Sequence, residues 1–98
     1  MSDVELTITD NEFLRQFETR IDSELAIIEY AQQERKIFLT KLKMDDSIKD
    51  KQEDFIQAVL EVIKERNTRV VPTSPEIAGY MRKNRRKYKD LLPVGINI

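Results

Sequence analysis

The chain has 98 residues, 40% apolar and 36% charged, a size and balance that suit one small core and exclude a substrate chamber between two lobes. It contains neither cysteine nor histidine, which excludes a disulfide framework, a thiolate nucleophile, a histidine-based triad and an ordinary zinc site, and leaves acid–base work near neutral pH to Asp, Glu, Lys or Tyr. The net charge of −1 gives no overall attraction to nucleic acid or to an anionic membrane, and no apolar run approaches the roughly 20 residues that span a bilayer. The opening residues are acidic and unlike a signal peptide, so the expected location is the cytoplasm.

Leu6 and Ile8 alternate with Thr7 and Thr9, which predicts a short first strand ended by a turn at Asp10 and Asn11. Phe13, Arg15, Phe17, Thr19 and Ile21 share one parity while Gln16, Glu18 and Arg20 take the other, the pattern of a second strand with one mostly apolar face. Asp22 and Ser23 break it. Extended character resumes from Leu25 to Tyr30, Gln32 to Arg35 form a polar tip, and Ile37, Phe38, Leu39, Thr40 and Leu42 follow as a further strand. The whole reads as an antiparallel meander.

The period changes from Asp50. Phe55, Val59 and Ile63 recur every four residues, and Ile56, Leu60 and Val62 widen the stripe into the apolar side of an amphipathic helix. Asp50, Glu53 and Asp54 at its start and Lys64 and Arg66 at its end suit the helix dipole, and Asn67 is a C-terminal stop. Val70 and Val71 form a short buried strand before Pro72. Ser74, Pro75 and Glu76 then make a compact helix start: a cap, a proline at the first helical position and an acid that complements the dipole. Ile77, Tyr80 and Met81 give this second helix its apolar side, and a basic run of Arg82, Lys83, Arg85, Arg86, Lys87 and Lys89 continues along its far end. Leu91 to Ile96 are apolar enough to pack, with a last strand as one reading.

Three segments carry a family resemblance. Phe17 and Glu18, followed by Glu24-Leu25-Ala26 and Glu29-Tyr30, form an opening hairpin; Arg69 to Pro75 lead from a strand into a turn; Lys87-Tyr88-Lys89-Asp90-Leu91 close the pattern. Together, over roughly residues 6 to 92, they resemble the small stand-alone GNAT-type N-acetyltransferases. The resemblance implies an α+β fold over a single domain, residues 1–98, with a mostly antiparallel twisted sheet and two helices. It also implies transfer of an acetyl group from acetyl-CoA to an amine, the alternative being a catalytically inactive GNAT-fold binding or regulatory module. Coenzyme A and an amine substrate or a protein are the implied partners.

In that family the sheet splays to admit coenzyme A, and a glycine-containing loop and the amino end of the long helix cradle the pyrophosphate, since free N–H groups bind anions and glycine allows close approach. The resemblance thus places cofactor contacts at Leu42, Lys49, Lys51 and Gln52. The stretch from Ser47 to Glu53 contains no glycine, and its Asp50 and Glu53 oppose a pyrophosphate that Lys49 and Lys51 favour. Of the family's histidine-threonine segment only Thr40 remains, and the active-site cysteine corresponds to Ser74. A serine needs an adjacent base to become a nucleophile, whereas direct transfer needs only a deprotonated amine near the thioester.

Ser74 is a catalytic or substrate-contacting hydroxyl on one reading and a plain helix cap on the other. Tyr80, or Tyr88, is a general acid toward the leaving thiolate or an aromatic core residue with its hydroxyl at the rim. The basic run grips phosphates or is a solvated helix end; with no aromatic platform interleaved, nucleic acid is not an expected partner. Lys41 and Lys43 are anion contacts or exposed strand residues. Asp45 and Asp46 read as turn and cap residues, and no metal is proposed.

Overall fold

The computed structural model describes residues 6–93. Five strands form one sheet in chain order: β1 (Thr9–Asn11), β2 (Gln16–Ile21), β3 (Glu24–Gln33), β4 (Lys36–Lys43) and β5 (Arg69–Pro72). The first four are an antiparallel meander, as their alternation implies. β5 lies parallel to β4, an arrangement that needs a long crossover. A 3₁₀ helix at Asp46–Lys51 and α1 (Gln52–Glu65) supply it, and α2 (Pro75–Lys83), α3 (Arg85–Tyr88) and a 3₁₀ turn at Lys89–Leu91 follow β5.

Two tight turns set the meander. Asp22 and Ser23 both have positive φ, 51° and 70°, and sit between the paired residues Ile21 and Glu24. Two left-handed residues in a two-residue loop match the twist of the flanking strands. Between Gln33 and Lys36 the loop is Glu34, left-handed with φ 55°, and Arg35, which is not left-handed, so the polar tip is two residues long and Gln32 and Gln33 belong to β3.

The first strand is shifted from its expected place. Asp10 and Asn11, read as a turn, end β1, opposite Phe17 and Gln16. Tertiary partners hold them: Asp10 accepts from the Tyr30 hydroxyl at 2.6 Å and from Arg66 at 2.8 Å, and Asn11 donates to Glu18 at 2.9 Å. The turn lies instead at residues 12–15, where Asn11 Oδ1 accepts from the Leu14 N–H and Arg15 has φ 57°. Phe13 therefore leaves the apolar face assigned to it and is 92% exposed, while Phe17, Thr19 and Ile21 are buried as expected.

One irregularity aligns β4 with the core. Glu29 faces Lys41 and Tyr30 faces Leu39, which leaves Thr40 as an extra residue in a β-bulge. Ile37, Leu39 and Leu42 are spaced two and then three apart, so a regular strand points Leu42 to the opposite face. The bulge restores it, and all three are buried. They pack with Phe17, Ala26 and Ile28 against Phe55, Ile56, Val59, Leu60 and Ile63 of α1 and Ile77 and Met81 of α2. Each large apolar side chain removed from water in this way contributes about 1.5–3 kcal/mol.

The C-terminal stop of α1 follows its sequence signal. Asn67, at φ 55°, stops α1 as a left-handed residue. The basic run does not continue one helix: Asn84, at φ −116° and ψ 39°, separates α2 from α3, its side-chain amide donating to the Tyr80 carbonyl at 2.9 Å. Leu91 ends a 3₁₀ turn and Leu92 follows it outside any strand; the remainder of the expected closing strand, from Val94 onward, lies outside the described residues. No helix among the described residues is long and apolar enough to cross a membrane.

Ser23 pays a conformational cost at φ 70° that glycine avoids. Ser23→Gly is expected to raise stability by about 0.5–1 kcal/mol, seen as a higher urea midpoint at unchanged slope.

Candidate functional site

Pairing between β4 and β5 runs from Lys36 and Arg69 to Leu39 and Pro72 and goes no further. At that point the Leu39 carbonyl accepts from the Thr73 N–H at 3.1 Å, the Ser74 N–H at 3.0 Å and the Thr73 hydroxyl at 3.0 Å. These bonds turn the chain out of β5 and into α2, whereas β4 continues to Lys43. From Thr40 to Lys43 the edge of β4 that faces away from β3 has no strand partner among the described residues, so its backbone donors and acceptors are open to a ligand. The result is a fork with its apex at Leu39.

Ser74 stands on the α2 side of the fork, at the N-cap position ahead of Pro75. Its side chain does not cap. The hydroxyl donates to Glu76 Oε1 at 2.9 Å, and the residue is 1% exposed. The Glu76 carboxylate accepts from its own backbone N–H, takes the Ser74 bond and feels the Lys49 charge; these three effects, in that order, hold it below the usual range. A carboxylate held ionised is a weak base, so the pair is poorly suited to make Ser74 a nucleophile.

The far side of the fork is the segment leading into α1. The Asp45 carboxylate accepts from the Ser47 N–H at 2.9 Å and the Ser47 hydroxyl at 2.6 Å, bonds that lower its pKa, and so caps a 3₁₀ helix. Ile48 anchors that helix in the core. Gln52, the first residue of α1, donates its N–H to the Lys49 carbonyl. A carboxylate and a preceding helical turn thus occupy backbone donors that a glycine loop leaves free for phosphate. Cationic side chains remain at this end: the Lys49 ammonium lies 3.5 Å from the Gln52 side-chain carbonyl, and Lys51 sits at the junction with α1.

The fold therefore gathers Lys49 and Gln52 on one side and Ser74 and Glu76 on the other, since Lys49 is near enough to perturb Glu76. Leu42 and Lys49 share a shallow hollow of 510 Å³ with Lys43, Met44 and Ile27. Lys43 is paired with Glu29 at 2.8 Å. Tyr80 is not part of this group. It lies six residues beyond Ser74, about 9 Å along the helix, and its hydroxyl is 3.2 Å from that of Tyr88. The rings meet at 5.7 Å, and burial, then the Tyr80 bond, push Tyr88 ionisation far up. Two participants escaped the sequence reading, the Leu39 carbonyl and Glu76 as a side-chain partner. For Glu76 the Ser-x-Glu spacing was the available signal; for a backbone carbonyl there was none.

Two comparisons with known proteins bear on this chain. The sequence profile of the GCN5-related N-acetyl-transferases matches residues 16–91. The chain belongs to this family. A search of curated proteins gives no match in sequence. Among solved structures, the solution structure of a GCN5-like protein from Staphylococcus aureus is similar, with TM-score 0.63 and 20% identity over 99% of this chain and 94% of that one. At that identity the likeness concerns the fold.

Ser74→Ala is expected to cost about 0.5–1 kcal/mol at pH 7, at the low end because Glu76 is exposed to screening. Because the bond lowers the Glu76 pKa, its contribution is present above the ordinary value of 4.5 and is lost as pH falls through the lowered value. Urea midpoints of the two proteins should therefore converge below that pH.

Proposed function

We propose that this GNAT-family chain transfers an acetyl group from acetyl-CoA to an amine at the fork between β4 and β5. The observation that carries the reading is the end of strand pairing at Leu39 and Pro72, with β4 running four residues further. An unpaired strand edge suits a ligand arm that carries amide groups, because it donates and accepts in alternation as a neighbouring strand does. The residues present fit coenzyme A in this respect, and a hollow beside the end of β4, with Leu42 and Met44 in its wall, adjoins the fork at Lys49. For the phosphates the chain offers side chains in place of glycine backbone: Lys49, oriented by Gln52, and Lys51.

Acetyl-CoA supplies the acyl group as a thioester, open to attack by a neutral amine. The ionised Glu76 carboxylate attracts an incoming ammonium group to the fork, and Ser74 holds that carboxylate in place. Since Glu76 is a weak base, the amine gives up its proton to solvent, and the direct route without a protein nucleophile is favoured over one through Ser74. As the C–N bond forms and the C–S bond breaks, the thiol of coenzyme A leaves as thiolate and takes its proton from solvent. Tyr80 stays with Tyr88 and takes no part in the chemistry.

A second reading, a non-catalytic binding module, is favoured by one feature: the Asp45 carboxylate caps the 3₁₀ helix where a pyrophosphate would otherwise meet free N–H groups. Titration of isotope-labelled protein with acetyl-CoA, followed by turnover assays on small and peptidyl amines, separates the two. Saturable amide shifts at residues 40–53 and 73–76 are expected, weakened about tenfold by Lys49→Glu with Lys51→Glu, a loss of two charge-assisted contacts. Binding without turnover selects the non-catalytic module, and absence of shifts at millimolar ligand rules out both forms of coenzyme A recognition.

A further inference from the structure

A second hollow lies at the other end of the sheet, where β5 begins and α1 ends. It has a volume of 460 Å³ and is lined by Arg35 from the β3–β4 turn, Lys64 near the end of α1, Arg69 at the start of β5 and Lys87 on α3. Asp90 is the one carboxylate among the described lining residues. None of the four cations forms an ion pair with a carboxylate among the described residues; the pairs that form are Lys43 with Glu29, Arg66 with Asp10 and Lys83 with Glu53. Glu61, on α1, is a further acid whose field reaches this end, at Tyr88.

A helix dipole accounts for Lys64, which lies in the last turn of α1, but not for cations brought from a hairpin turn, a strand and another helix. Four like charges around one hollow repel each other in a protein whose net charge is −1. Arg69 is also held in place: its Nη1 donates to the carbonyls of Asp90 and Leu92, which leaves the rest of the guanidinium fork without a protein partner among the described residues. The rim continues through Lys87 into a shallow basic surface shared with Arg82 and Arg86, which raises the local concentration of anions.

We propose that this hollow binds a small polyanion carrying two or more phosphate groups, at a site separate from the fork and independent of the acetyl-transfer reading. A single inorganic ion is too small for it: the hollow holds the volume of roughly fifteen waters at about 30 Å³ each, and its cations come from four separate elements. Planar guanidinium groups such as those of Arg35 and Arg69 present forked donors that match the oxygens of a phosphate group two at a time.

Inorganic tripolyphosphate and ADP, each titrated into isotope-labelled protein, test the assignment. Saturable shifts are expected at the amides of residues 64–69 and 87–91. Arg35→Glu with Lys64→Glu, both exposed positions, should weaken binding about tenfold or more while leaving the remaining amide spectrum in place. Lys41→Glu, on the exposed part of β4, should change it by less than about twofold. Equal affinities for the two probes would identify the phosphate chain itself as the ligand, and tighter binding of ADP would identify a nucleotide. No saturable shift with either probe, shifts confined to residues 40–53 and 73–76, or unchanged affinity in the double variant would overturn the proposal.

Discussion

The carbonyl of Leu39 accepts from three donors on Thr73 and Ser74, and the functional geometry of the protein depends on that meeting point. A carbonyl oxygen offers two lone pairs, so the three bonds share it and lock the chain direction over two successive residues. β5 is thereby stopped after four residues and α2 begins at once. The same junction buries Ser74 and frees the last four residues of β4 from a neighbour on that side. The bulge at Thr40 adjoins this point and returns Leu42 to the core, so the free edge is anchored from beneath by packing while its backbone remains open.

In the proposed reading, anion recognition at the fork falls to side chains in place of backbone. A glycine loop binds phosphate through N–H groups that cost nothing to orient. Here the equivalent segment is a 3₁₀ helix with Ile48 buried beneath it and Asp45 capping its start, which stabilises the fold and fills the anion position internally. What remains for an external anion is Lys49 and Lys51, whose flexible ammonium groups lose conformational entropy when they engage. If the proposed coenzyme A reading holds, recognition there is weaker and more salt-sensitive than in a glycine cradle.

The two ends of the sheet are chemically distinct. At the fork, lysines are interspersed with Asp45 and Glu76, so the charges are balanced locally. At the opposite end, cations from four elements converge with little opposing charge. A separate clasp ties the outer strand to this end of α1: Asp10 joins the Tyr30 hydroxyl to Arg66, whose guanidinium lies 5.7 Å from the centre of the Phe17 ring. Burial and the Asp10 bond push Tyr30 up to about 12, so its hydroxyl keeps its proton, and the clasp its donor, through the neutral range.

Much of the architecture is written in local pattern. The parity of Phe17, Thr19 and Ile21, the four-residue recurrence of Phe55, Val59 and Ile63, and the stop at Asn67 are consequences of strand and helix periodicity that any core imposes. Where the reading went astray, a distant partner had overridden a local preference. Asp10 and Asn11 favour turns in isolation, yet Tyr30, Arg66 and Glu18 hold them at the end of a strand, and Phe13 is carried out to solvent by the turn that then follows. The three-residue step from Leu39 to Leu42 was a visible sign of a bulge, and the Ser-x-Glu spacing one of the Ser74 bond, whereas the direction of the Tyr80 hydroxyl was not visible at all. Ser74 stands at its cap position but bonds to Glu76 two residues on, a choice between local acceptors, whereas Tyr80 turns to Tyr88 because the packing of α2 and α3 brings the two hydroxyls within about 3 Å. Periodicity and residue chemistry were enough to specify most of the elements and the core face, since these depend on neighbours along the chain, and the three motif segments carried the resemblance to the family. The fork at Leu39, the approach of Lys49 to Glu76 and the basic hollow at the far end arise only when segments tens of residues apart meet, and no pattern within one segment encodes that meeting.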